Sequence, residues 1–120
     1  MKLLTKEIQE RLKKEAPLYS KDGKGKNAEV ICRLYIPDVA EYLVTEGEEQ
    51  PDGDWLLFSY GKIHFWEWGY ISLNEVENIR LPDGTGFICE EYHNKTVQEV
   101  YDEIQEKRQR EDRSDEEEER

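Results

Sequence analysis

WLLFSYGKIHFWEWGYIS, residues 55 to 72, carries seven large aromatics in eighteen positions. The alternation reads as two strands joined around Gly61 and Lys62 as a hairpin. Along the second strand His64, Trp66, Trp68 and Tyr70 point one way, and Ile63, Phe65, Glu67, Gly69 and Ile71 the other. Both faces are partly apolar, which predicts a central strand with the helical stripes on its aliphatic face. The Trp66, Trp68 and Tyr70 face then needs its own cover, from the N-terminal helix, a loop or another subunit. Leaving one large aromatic in water forgoes ~2–3 kcal/mol of burial. Domains of this size are stable by only ~5–15 kcal/mol in all, so most of these rings must be covered. Sheets that stack bases interleave aromatics with Lys and Arg, whereas this stretch offers Glu67 and a neutral His64. Core or interface packing is the expected role.

Upstream, Leu4, Ile8 and Leu12 form a narrow stripe on a short helix, with Thr5 as N-cap and Pro17 as stop. SKDGKGKN, residues 20 to 27, is a polar glycine-rich loop. EVICRLYIPD and EYLVTEG read as the first two strands, and EGEEQPDGD, residues 46 to 54, as an exposed acidic loop. Downstream, Ser72 to Glu75 and Thr96 to Glu99 are capping boxes. The first opens a short helix that ends before Pro82, and FICEEY is a fifth strand. The second opens a helix with the stripe Val97, Val100, Tyr101 and Ile104. The expectation is one α+β domain over residues 1 to 105, a largely antiparallel sheet of about five strands with short helices at the N-terminus, before the last strand and at the C-terminus. Residues 106 to 120 are expected to extend the helix by a turn or two and then leave it as a charged, disordered tail.

The chain has 120 residues and a formal net charge of -12. Residues 1 to 26 hold eight Lys/Arg against four Asp/Glu, whereas residues 27 to 105 hold four against seventeen. The body is therefore anionic without its tail, which disfavours direct contact with nucleic-acid phosphate. No stretch has the length and apolarity of a membrane span, and MKLLTKEIQE lacks the apolar centre of a signal peptide. A cytoplasmic, bacterial-type protein is expected.

Signals for chemistry are thin. Cys32 and Cys89 read as two small buried hydrophobes, able to form a disulfide only if their strands are neighbours. No Cys/His ladder points to zinc, and His64 and His93 are 29 residues apart, so no metal or other cofactor is expected. No nucleophile signature surrounds Ser59, Ser72 or Thr96, and no catalytic residue is assigned.

MKLLTKEI…APLYS, TEGEEQPDGDWLLFSYG, WEWGYISLNEVENIRLPDG and NKTVQEV together resemble, in the same order and over roughly residues 1 to 105, the domain of unknown function 2958 family. The resemblance implies a small bacterial protein carried by plasmids, phages or integrated mobile elements, and it names no activity. With the acidic body, it leads to the expectation of a non-catalytic protein-interaction module, anti-defence or regulatory, presenting carboxylates where a basic nuclease or nucleic-acid-binding protein expects phosphates. The candidate contacts are Glu46, Glu48, Glu49, Asp52 and Asp54, then Glu90 and Glu91. The alternatives are a small hydrolase or ligand-binding protein with a pocket near Trp66, Trp68 and His64, and a homo-oligomer or larger assembly joined through the Trp66/Trp68 face.

Overall fold

A computed structural model describes the backbone of residues 3 to 118 and the side chains of residues 3 to 111. It is an α+β fold: a five-stranded antiparallel sheet with three helices. In chain order these are α1 (Lys6–Glu15), β1 (Cys32–Ile36), β2 (Ala40–Glu49), β3 (Trp55–Lys62), β4 (Trp66–Ser72), α2 (Leu73–Asn78), β5 (Ile88–Glu91) and α3 (Val97–Glu118), with a 3-10 turn at Gly25–Asn27. The first four strands form a meander, and β5 returns to pair with β1, giving the order β4-β3-β2-β1-β5. All pairings are antiparallel.

The caps form as the sequence predicts at α1 and α3, but at α2 the expected capping box forms only in part, with Asp54 in the place of Glu75. Thr5 accepts from the Ile8 N–H at 3.2 Å. Thr96 and Glu99 bond reciprocally, backbone to side chain, at 3.2 and 3.0 Å. At α2, Ser72 accepts from the Glu75 N–H, but the second cap comes from Asp54. Its carboxylate accepts from the Asn74 N–H at 2.9 Å and from the Ser72 hydroxyl at 2.5 Å.

Two cores lie on opposite faces of the sheet. On one, Leu4, Ile8 and Leu12 of α1 and Leu73 and Val76 of α2 pack against Cys32, Leu34, Ile36, Val44 and Leu57. On the other, Val97, Val100 and Ile104 of α3 pack against Val30, Leu43 and Tyr60. The sequence expectation that the helical stripes share the aliphatic face therefore holds for α1 and α2 only. The third stripe covers the aromatic face.

Three further expectations are corrected. The strand holding Trp66 is an edge strand, not a central one. Side-chain periodicity reports which faces are apolar, but it is blind to neighbours along the hydrogen-bonding direction. The hairpin turns at residues 63 to 65, not around Gly61 and Lys62, which lie within β3. Gly61 is there for close approach: a Cβ would sit 2.8 Å from the Glu41 carbonyl oxygen and against the Tyr42 ring. Finally, β2 runs on to Glu49, with a register shift between Val44 and Glu46, so the stretch from Glu46 onward begins as strand rather than loop.

Beyond Ile104, α3 continues to Glu118 instead of fraying after a turn or two. Opposite charges at four-residue spacing in the sequence, Glu106 with Arg110 and Lys107 with Glu111, favour the helix without any apolar contact. Each such pair is worth only ~0.3–0.5 kcal/mol. Ending the chain after Lys107 is therefore expected to lower the melting temperature by less than about 5 °C, measured by thermal unfolding. A larger fall would show that the end of α3 packs on the domain.

Candidate functional site

The aromatics of β3 and β4 form a continuous ladder on the α3 face. Tyr60 stacks on Trp66 at 5.2 Å and touches Trp68 at 5.0 Å between ring centroids. Phe58 stacks on Trp68 at 5.3 Å and meets Tyr70 at 4.9 Å. Tyr101 of α3 sits edge-on to Trp66 at 5.2 Å. The ammonium of Lys26, from the glycine-rich loop, lies 5.0 Å and 5.1 Å from the Tyr60 and Tyr101 ring centres. The glycine-rich loop, one of the expected covers, and α3, in place of the expected N-terminal helix, thus cover the Trp66 end. Trp68 remains half-buried beside Lys21, Asp22, Gly23 and Gly25, and Tyr70 is exposed.

The carboxylates singled out in the sequence do not form one surface. Glu46 is only 3% exposed. Its two oxygens accept from the backbone N–H groups of Tyr19 and Lys21 at 2.9 and 2.8 Å, which pins the loop after α1 to the sheet. Asp54 is the α2 cap described above. Although its surroundings desolvate it, the bonds from Ser72, Asn74 and Trp55 hold its carboxyl below the usual range. Both residues are therefore structural and are withdrawn as partner contacts. Periodicity could not show this, because the register shift in β2 sets Glu46 opposite Phe58, under the loop that carries Tyr19 and Lys21. Glu48, Glu49 and Asp52 stay on the surface at the β2–β3 end, Glu49 loosely paired with Lys13 at 3.7 Å. Glu90 and Glu91 lie across the sheet on β5. Glu91 accepts from Arg11 at 2.8 Å, and that guanidinium also approaches Glu15 and Glu29.

One concave site was not visible to sequence reasoning. A cleft of about 640 Å³ opens between α3 and the sheet end where the turns at residues 37 to 39 and 63 to 65 project. Across its floor the charges alternate strand by strand: Lys62 on β3, Glu41 on β2, Arg33 on β1 and Glu90 on β5. Glu41 stands directly opposite Lys62 in the ladder, and Arg33 opposite Glu90. Arg33 forms an ion pair with Glu41 and lies 3.8 Å over the Tyr35 ring. Burial, together with Glu90, pushes the Tyr92 phenol up to about 12. The walls are Val39, Ile63 and Ile104, with Lys107 and Arg108 of α3 above. Arg33 and Glu41 sit on opposite strands among ordinary strand residues, so only the pairing register could have brought them together.

The histidines stay apart in role. His93 approaches Glu91 at 3.4 Å, while His64 is exposed in the β3–β4 turn. His64 and Trp68 share a groove of about 430 Å³ beside β4, but Trp66 is not in it, so the three residues of the alternative pocket do not converge. Among the described residues no group of three His, Cys, Asp or Glu side chains could hold a metal ion. Nor, among those residues, is any helix long and apolar enough to cross a membrane. Cys32 and Cys89 do sit on neighbouring strands as free thiols, and their hydrogen bond, with burial, pushes the Cys32 thiol well above its usual range. No family model, curated protein or solved structure matches this chain.

Proposed function

We propose that this chain is a non-catalytic protein-interaction module of a mobile genetic element, anti-defence or regulatory in effect, and that it meets a basic partner through exposed carboxylates. The observation that carries this reading is where the cations of the body are spent. Among residues 27 to 105, Arg33 is committed to Glu41 and Lys95 to Glu103, which leaves two cations, Lys62 and Arg80, against the other fifteen of the seventeen carboxylates. Lys62 lines the cleft. The acidic surface is thus left with little of the body's own positive charge to offset it. Glu48, Glu49 and Asp52 concentrate that surface at the β2–β3 end. Long-range attraction toward a basic groove would speed association there.

The test has two arms. In the first, single- and double-stranded DNA and RNA are titrated at physiological salt. No binding tighter than ~10 µM is expected; tighter binding with a steep salt slope would overturn the electrostatic argument. In the second, the protein competes with DNA for a basic nuclease. Competition is expected, and it should fall when Glu48→Gln, Glu49→Gln and Asp52→Asn are combined. Competition unchanged by the triple substitution would reject that patch.

A further inference from the structure

The Arg33–Glu41 pair is incompletely satisfied. Its side chains are only 17% and 13% exposed, yet Arg33 Nε and Glu41 Oε2 have no hydrogen-bond partner. A buried ion pair in that state is a poor stabiliser, because each desolvated group left without a partner has lost its water and gained nothing in return. What remains is one unpartnered guanidinium donor and one unpartnered carboxylate acceptor, on two residues that line a cleft of about 640 Å³. That volume lies within the range of small-molecule sites, roughly 300–1,000 Å³.

We propose that the cleft binds a small zwitterion, a molecule carrying a carboxylate and an ammonium group on neighbouring atoms, as a free α-amino acid does. Its carboxylate would accept from Arg33 Nε and its ammonium would donate to Glu41 Oε2. Both protein atoms are buried on side chains that keep some exposure, so the pair opens by a rotamer step as the ligand enters. The surrounding charges suit a ligand of both signs better than a plain anion or cation. Lys62, Lys107 and Arg108 supply positive charge, and Asp38, Glu90, Glu103 and Glu111 supply negative. Of these, Glu103 is already held by Lys95. Val39, Ile63 and Ile104 offer an apolar seat for a side chain on the ligand. This site is independent of the acidic patch at the β2–β3 end, so either reading can fail alone.

The full chain is titrated calorimetrically with glycine, leucine, lysine and glutamate, and with acetate and methylammonium as half-ligands. At least one amino acid should bind with Kd at or below about 1 mM, and the half-ligands at least tenfold more weakly. Glu41→Gln should weaken binding at least tenfold with the circular dichroism unchanged. If that variant does not fold, Ile63→Glu provides a second arm, since Ile63 is 58% exposed. It should weaken leucine at least tenfold and leave glycine within about twofold, because only the side-chain seat is lost. Absence of binding by every amino acid would overturn the proposal. So would a half-ligand that binds as tightly as the best amino acid.

Discussion

Trp66→Ala lowers the stability of the domain by roughly 2–4 kcal/mol and loosens α3 from the sheet. A fully buried Trp→Ala change costs about 3–5 kcal/mol; Trp66 is half-buried, so the lower part of the range applies. The ring joins the two sides of the second core, stacked on Tyr60 below and edge-on to Tyr101 above. Its loss removes two aromatic contacts and leaves Tyr101 with only its tilted contact to Tyr60 and the Lys26 ammonium. Trp68→Ala should cost less than Trp66→Ala, because Trp68 stacks within the sheet on Phe58 and is not held by α3. Chemical denaturation of both variants checks the order. If both prove as stable as the parent, the ladder contributes nothing to folding and is a platform for something else.

Glu46→Ala costs roughly 2–3 kcal/mol, whereas Glu48→Ala two residues on is neutral within about 0.5 kcal/mol. The contrast follows from burial. Glu46 accepts two backbone N–H groups from the segment after α1, one of them from Tyr19, whose φ of 73° is unfavourable for a residue with a side chain. Without the carboxylate those groups lose their partner and the Tyr19 conformation loses its clamp. Glu46→Gln should be milder, since one acceptor oxygen remains. Hydrogen exchange at Tyr19 and Lys21 gives the local readout. Equal effects of the Ala substitutions at 46 and 48 would mean that Glu46 is no anchor.

How much of this was legible in the sequence depends on the kind of contact. Local rules served well: Thr5, Ser72 and Thr96 cap helices because a hydroxyl three residues before an N–H is within reach whatever the fold. Two-residue alternation located the five strands, and the stripe from Val97 to Ile104 identified the buried face of α3. What stayed hidden was set by pairing. Nothing in WEWGYIS says that β4 has a neighbour on one side only. Nothing in EGEEQPDGD says that Glu46 lies under the loop after α1 while Glu48 and Glu49 remain outside. The cleft was invisible for the same reason, since Arg33, Glu41, Lys62 and Glu90 come from four strands and meet through the ladder. Gly61 reads as a turn residue until the Tyr42 ring is seen lying over it.

The proposed interaction rests on charge at one end of the sheet, and charge at the rim of an interface acts mainly on the rate of association and its dependence on salt. The most direct measurement is that rate, for the partner captured from a host that carries the gene. It is compared between the parent chain and the combined Glu48→Gln, Glu49→Gln, Asp52→Asn variant at low and high ionic strength. The account predicts a basic partner whose association with the parent slows steeply with salt, and a variant that is slow throughout and nearly insensitive to salt. A partner that binds both proteins at the same rate, with the same salt dependence, would contradict it.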